Sequence, residues 1–131
     1  MSILGRTVPF KAIAGIALMM VLLALLPALS REPAREIRLV VKGMAFYLGD
    51  GGRVPNPTLD VKAGERVRIV LDNQERGMTH DFAVPSLGAS LDPLRWNESG
   101  DLVFDVPDTP GIYEYICRPH RLMMRGTIRV H

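Results

Sequence analysis

The sequence predicts an all-β sandwich with Greek-key connections, on three observations. About seven or eight short runs alternate apolar with polar residues, ten prolines and twelve glycines are spread between those runs, and roughly 100 residues remain once an apolar N-terminal run is set aside. A body of that length builds one domain around one core and leaves no room for a second catalytic domain.

The N-terminal run is a targeting segment. Arg6 and Lys11 precede residues 12–29, which carry no charge, the pattern of an export signal or a membrane anchor. Ala28 and Ser30 put small residues at the two positions a signal peptidase reads, which favours cleavage after Ser30. The same eighteen residues reach the lower edge of a bilayer span, so an uncleaved N-terminal anchor over 12–29 is the other reading. Under both, the basic flank stays in the cytoplasm and the body lies outside it, periplasmic or secreted. No cysteine stands directly after the run, which excludes a lipid-modified N-terminal cysteine. The expected organisation is therefore a signal or anchor at 1–30, a charged tether at 31–36 and one folded domain at 37–131.

Setting aside Arg6 and Lys11 leaves fourteen basic residues against fourteen acidic ones. A neutral body whose basic residues are scattered gives no electrostatic footprint for nucleic acid, whatever the whole-chain isoelectric point of about 9.0 suggests.

The elements follow in order. Ile37–Lys42 reads as a first strand. Gly43–Asn56 is an excursion holding the aromatic pair Phe46 and Tyr47, the turn signal Gly49-Asp50-Gly51-Gly52, and a stop at Pro55-Asn56-Pro57. Thr58–Val61 and Arg66–Asp72 read as a half-buried strand pair joined by Lys62–Glu65, with Val67, Ile69 and Leu71 sharing one face. Asn73–Thr79 is a polar loop, and His80–Val84 resumes a strand with the histidine at its start. Pro85–Gly100 suits a short helix or an extended loop, and its Trp96, with Phe82, reads as a core aromatic. Asp101–Val106 and Ile112–Cys117 flank the tight turn Pro107–Gly111, and Gly126–Val130 closes the domain.

Chemistry concentrates between the last two strands, where Cys117, His120, Met123 and Met124 fall within eight residues. A single cysteine in an exported chain forms no internal disulfide, so oxidising surroundings do not explain it, whereas a bound metal both occupies and protects the thiol. Soft sulfur donors select copper over hard cations. A fourth donor has to come from elsewhere, and of the three histidines in the chain, His80 at a strand start is the candidate, His131 being the terminus. Two histidines and a thiolate in a plane, with a weak axial methionine, make a type 1 copper site, one copper per chain.

On these residues the chain resembles a cupredoxin, a small blue copper protein, over roughly residues 37–131. The resemblance rests on Tyr115-x-Cys117-x-Pro119-His120, then Met124-x-Gly126-x-Ile128-x-Val130, with support from Val61-Lys62-Ala63-Gly64-Glu65-x-Val67 and from Asn73 ahead of His80. It implies a metal set of His80, Cys117, His120 and an axial methionine. Met124 matches the methionine-x-glycine ending that recurs in the family; Met123, six residues after Cys117, matches the family's shortest ligand loops and is the runner-up. One departure stands out. Most members carry an asparagine after the first histidine to tie the ligand segments together, whereas this chain has Asp81, and a carboxylate there is expected to favour Cu(II) and lower the reduction potential. Pro119 also has no N–H to donate to the thiolate.

The function expected is single-electron transfer between redox partners by Cu(I)/Cu(II) cycling through His120. Partners would dock at the apolar surface around Pro119, Leu122 and Met123, with Arg118, Arg121 and Arg125 at its rim, and the membrane is involved only through 12–29 if that segment is retained. The alternative is an extracytoplasmic copper carrier or copper-sensing module. A copper enzyme is not expected, since three histidines cannot build a trinuclear cluster beside this site and one cysteine cannot build a binuclear centre. Cys117 and His120 on one short loop lack the orienting group and oxyanion site of a hydrolase. A structural zinc site would want four strong donors, and methionine is not one.

Overall fold

The computed structural model describes residues 10–29 and 34–131. The chain divides into an N-terminal unit, Met1–Glu32, and a body, Pro33–His131. In the first unit Phe10–Leu29 forms one helix, α1, as a run of Leu, Ala, Met and Ile favours. Its side chains are described at Lys11 and over residues 13–22, and among the described residues no helix is long and apolar enough to cross a membrane. The cleavage point after Ser30 lies outside the described residues.

The body is a two-sheet β-sandwich. Its strands are β1 (Arg35–Lys42), β2 (Ala45–Leu48), β3 (Leu59–Val61), β4 (Arg66–Asn73), β5 (Ala83–Val84), β6 (Ala89–Ser90), β7 (Ser99–Asp105), β8 (Gly111–Ile116) and β9 (Arg125–Val130). One sheet runs β2-β1-β4-β7 and the other β3-β9-β8-β5-β6. Pairing is parallel for β1 with β4 and for β3 with β9, and antiparallel elsewhere. The predicted class holds, with nine strands among the described residues in place of seven or eight. The two not foreseen are β2, where Phe46 and Tyr47 pair back onto β1 across a turn with Gly43 and Met44 both at positive φ, and the two-residue β6.

Alternation correctly identified the inward faces. Val67, Ile69 and Leu71 of β4 are fully buried, as are Leu39 and Val41 of β1, and they meet Leu59, Val61, Val84, Ile128 and Val130 from the opposite sheet. Each such side chain contributes about 1.5–3 kcal/mol of burial. It misassigned one partner: β3 and β4 do not pair. Gly64, at φ +74°, turns the chain from one sheet to the other, so that β3 lies parallel to β9 and β4 parallel to β1. Val61 and Val67 do face a common core, but from opposite layers, and a period of two specifies the face a residue points to, not the neighbour it bonds.

Three aromatic rings brace the end of the core beneath the chemistry-bearing loop. Tyr115 stacks on Phe82 at 5.1 Å and meets the edge of Phe46 at 5.4 Å, while its hydroxyl donates to the Pro57 carbonyl at 2.6 Å. Phe82 is thus the core aromatic expected. Trp96 is not: it is 46% exposed, with the Arg76 guanidinium 4.4 Å from its ring centroid. The connection between β6 and β7 keeps it outside both sheets.

Candidate metal centre

Two segments far apart in sequence build the centre. The first is the stretch from Asn73 to Phe82. Asn73 is almost wholly buried and its Nδ2 donates to the carbonyls of Met78 and Leu94, while its Oδ1 accepts the Glu75 N–H. The loop thus held delivers His80, which exchanges backbone bonds with Leu94 at 3.0 and 2.7 Å and is completely buried. The histidine expected to start a strand instead forms this isolated bridge; β5 begins at Ala83.

The second segment is the loop from Cys117 to Met124, a compact knot of backbone bonds. His120 N–H donates to the Cys117 carbonyl, Met123 and Met124 N–H both donate to the His120 carbonyl, and Cys117 N–H donates to the Met124 carbonyl. Pro119 is the second residue of the 3₁₀ turn Arg118–His120, a position where its missing N–H costs nothing. Asn56 fastens the loop from outside. At φ +48° its Oδ1 accepts the Phe46 N–H and its Nδ2 donates to the Met123 carbonyl, joining β2 to the ligand loop.

These two segments bring the expected donors together. Cys117 Sγ lies 3.7 Å from His80 Nδ1 and 3.6 Å from His120 Nδ1, and one ligand atom from each residue falls within 4.8 Å of the others. Nitrogen and sulfur bonded to one small cation at about 2.0–2.3 Å and 110–120° would stand roughly 3.6–3.8 Å apart, so the spacing fits a single metal. Met124 is fully buried in the same cluster as Cys117, whereas Met123 is 60% exposed. Burial pushes the Cys117 thiol up, the Asp81 backbone amide working against it. Burial pushes the His80 imidazole down, with Glu75 opposing. A neutral imidazole is the form that binds metal, and metal entry displaces the thiol proton.

Asp81 has a partner the sequence reading did not supply. Buried to 1% exposure, its Oδ1 accepts the Arg118 backbone N–H and its Oδ2 the Arg118 Nε–H, both at 2.7 Å, and Arg118 Nη2 reaches the Leu91 carbonyl. The carboxylate therefore ties the His80 segment to the Cys117 loop and brings a compensating cation with it. The two charges are expected to tune the metal in opposite directions. Asp81→Asn should raise the reduction potential and Arg118→Met lower it, each on the order of 1 kcal/mol, some tens of millivolts for one electron. Voltammetry on the two variants checks this, and shifts of the same sign would rule out charge as the cause.

Of the other arginines of the loop, Arg125 pairs with Glu114 at 2.7 Å, and Arg121 is exposed. Glu75, Asn56 and the Asp81–Arg118 lock were the parts of the site that sequence reasoning missed. Only Asn56 carried a signal, its place between two prolines.

The comparisons with known proteins agree with this fold. The family model described as a cupredoxin-like domain matches residues 15–130. No curated protein matches the chain. Among solved structures the chain is similar to auracyanin B, at 23% identity and TM-score 0.62 over 78% of this chain and 92% of that one. It is also similar to auracyanin A, a "blue" copper protein from the green thermophilic photosynthetic bacterium Chloroflexus aurantiacus, at 19% identity and TM-score 0.57 over 76% of this chain and 100% of that one. The copper nitrite reductase of Nitrosomonas europaea contains a similar portion, at 22% identity and TM-score 0.58 over 75% of this chain and 41% of that one. At such identities the likeness is one of fold, shared by small blue copper proteins and by parts of copper enzymes. Copper is the cofactor that the cluster of His80, Cys117, His120 and Met124 fits, as a type 1 site.

Proposed function

This chain belongs to the cupredoxin-like domain family, and from that premise we propose that it carries single electrons between redox partners outside the cytoplasm. The observation that carries the reading is the convergence of His80 Nδ1, His120 Nδ1 and Cys117 Sγ inside a prebuilt, hydrogen-bonded frame. Copper bound there would supply the one-electron couple. The chain's own contribution is to hold the donors in one arrangement, so that little has to move when the electron arrives or leaves. Met124, buried on the cluster, would supply the fourth donor in this reading.

The exit for the electron is His120. It is only partly buried, and beside it Leu122 is 87% and Met123 60% exposed. An apolar lip around a partly exposed ligand suits brief docking through a small interface. Arg121 is the loop arginine available to an acidic partner there, since Arg118 and Arg125 are engaged with Asp81 and Glu114. Extracytoplasmic placement is supported by the uncharged run at 12–29 behind Arg6 and Lys11.

The test is cyclic voltammetry of the copper-loaded protein. A reversible one-electron wave is the expected result. Copper that stays bound but shows no reversible wave would sink the electron carrier and leave a copper-holding module.

A further inference from the structure

We propose that Glu75 is a positioning residue of the copper centre: it fixes the buried His80 with Nδ1 toward the metal and, as a fixed negative charge one ring away, favours Cu(II). The inference rests on the copper reading above and adds to it a residue outside the ligand set.

The His80 ring has two nitrogens in two different environments. Nδ1 faces Cys117 Sγ at 3.7 Å, and Nε2 lies 3.1 Å from Glu75 Oε2. An ionised carboxylate only accepts, so Nε2 has to carry the hydrogen and Nδ1 is left with its lone pair free. Ring orientation and tautomer are then set together. With the imidazole fully buried, no water competes for Nε2.

Glu75 is itself held from two sides. Its backbone N–H donates to Asn73 Oδ1 at 2.9 Å, and its Oε2 also accepts the Met44 N–H at 2.9 Å. Met44 can present that N–H because Gly43 and Met44 both lie at positive φ in the β1–β2 turn. The carboxylate is about four-fifths buried, and the β1–β2 turn of one sheet thereby supports a ligand carried on the connection between the two sheets. Among the described hydrogen bonds the ring of His120 meets only Cys117, so the charge acts through one of the two imidazoles.

A carboxylate hydrogen-bonded to a ligating histidine raises the basicity of that ligand. The more basic donor and the nearby negative charge stabilise the higher metal charge, which is Cu(II).

The experiment compares the full-length protein with Glu75→Gln and Glu75→Asp. Glutamine keeps an acceptor oxygen for Nε2–H and for Met44 N–H while removing the charge. In the copper-loaded protein Glu75→Gln is expected to keep the blue band and to shift the Cu(II)/Cu(I) balance at least tenfold toward Cu(I), a rise of 59 mV for a one-electron couple. Glu75→Asp, with the charge restored on a shorter arm, should fall between. A blue wild type whose potential is unchanged in Glu75→Gln overturns the proposal. In the metal-free protein, nitrogen NMR should find His80 as the Nε2–H tautomer, and a mixture of tautomers in Glu75→Ala; a tautomer indifferent to Glu75→Ala also overturns it. Because that arm needs no copper, a wild type lacking the blue band would count against the copper reading alone.

Discussion

Replacing Cys117 by Ser is expected to abolish the intense visible absorption of the Cu(II) protein completely. That absorption is charge transfer from a thiolate to Cu(II), and Cys117 is the chain's only cysteine, so no second sulfur anion can take over. The serine hydroxyl occupies nearly the same place between the two Nδ1 atoms and keeps the knot of backbone bonds that shapes the loop. Copper retained without colour in the variant, against a blue wild type, is the predicted pattern. A wild type that binds copper without an intense band would defeat the type 1 assignment. The axial position is tested on the same samples. Met124→Leu, at a fully buried position, should move the potential upward by replacing a donor with hydrocarbon, while Met123→Leu, 60% exposed, should leave the spectrum and potential as they were. The reverse pattern would make Met123 the ligand.

Gly126→Ala is expected to destabilise the metal-free body by about 2–4 kcal/mol, combining overpacking with a disturbed buried hydrogen bond. At roughly 4–8 °C per kcal/mol for a domain near 100 residues, that is a melting point lower by at least about 8 °C. A Cβ on Gly126 would overlap the outer edge of the Tyr115 ring, at Cζ, Oη and Cε1. The ring cannot yield, being pinned by Pro57 through its hydroxyl and by Phe46 and Phe82 on its faces. The reason is therefore space and not backbone freedom, since Gly126 is not among the glycines at positive φ. A double-mutant cycle isolates it: in a Tyr115→Ala background Gly126→Ala should cost much less than in the wild type. Equal costs in both backgrounds would show that the ring is not the obstacle. The glycine two residues after Met124 thus belongs to the fold, and it serves the site by letting Tyr115 pack directly beneath the ligand loop.

The sequence by itself determined the fold class, the inward face of β4, and in the Cys117–Met124 loop the donors Cys117 and His120 with a methionine, Met124 or Met123. All of these are local properties: a strand's burial repeats every two residues, and donors on one short loop are near each other in any fold. It also selected His80, because histidines were few, though not the bridge to Leu94 that places it. What the tertiary structure alone decided were contacts between residues distant in the chain. β3 pairs with β9 and not with β4; Arg118 reaches Asp81 across 37 residues and Asn56 reaches the Met123 carbonyl across 67. Glu75 shows the same limit at short range, since five residues separate it from His80 but only the turn at Met44 and the buried Asn73 bring its carboxylate to Nε2. Hydrogen bonds of this kind leave no periodicity to read. They depend on where two backbones pass after both sheets have closed on the core, and in this protein they orient the ligands the sequence had already named.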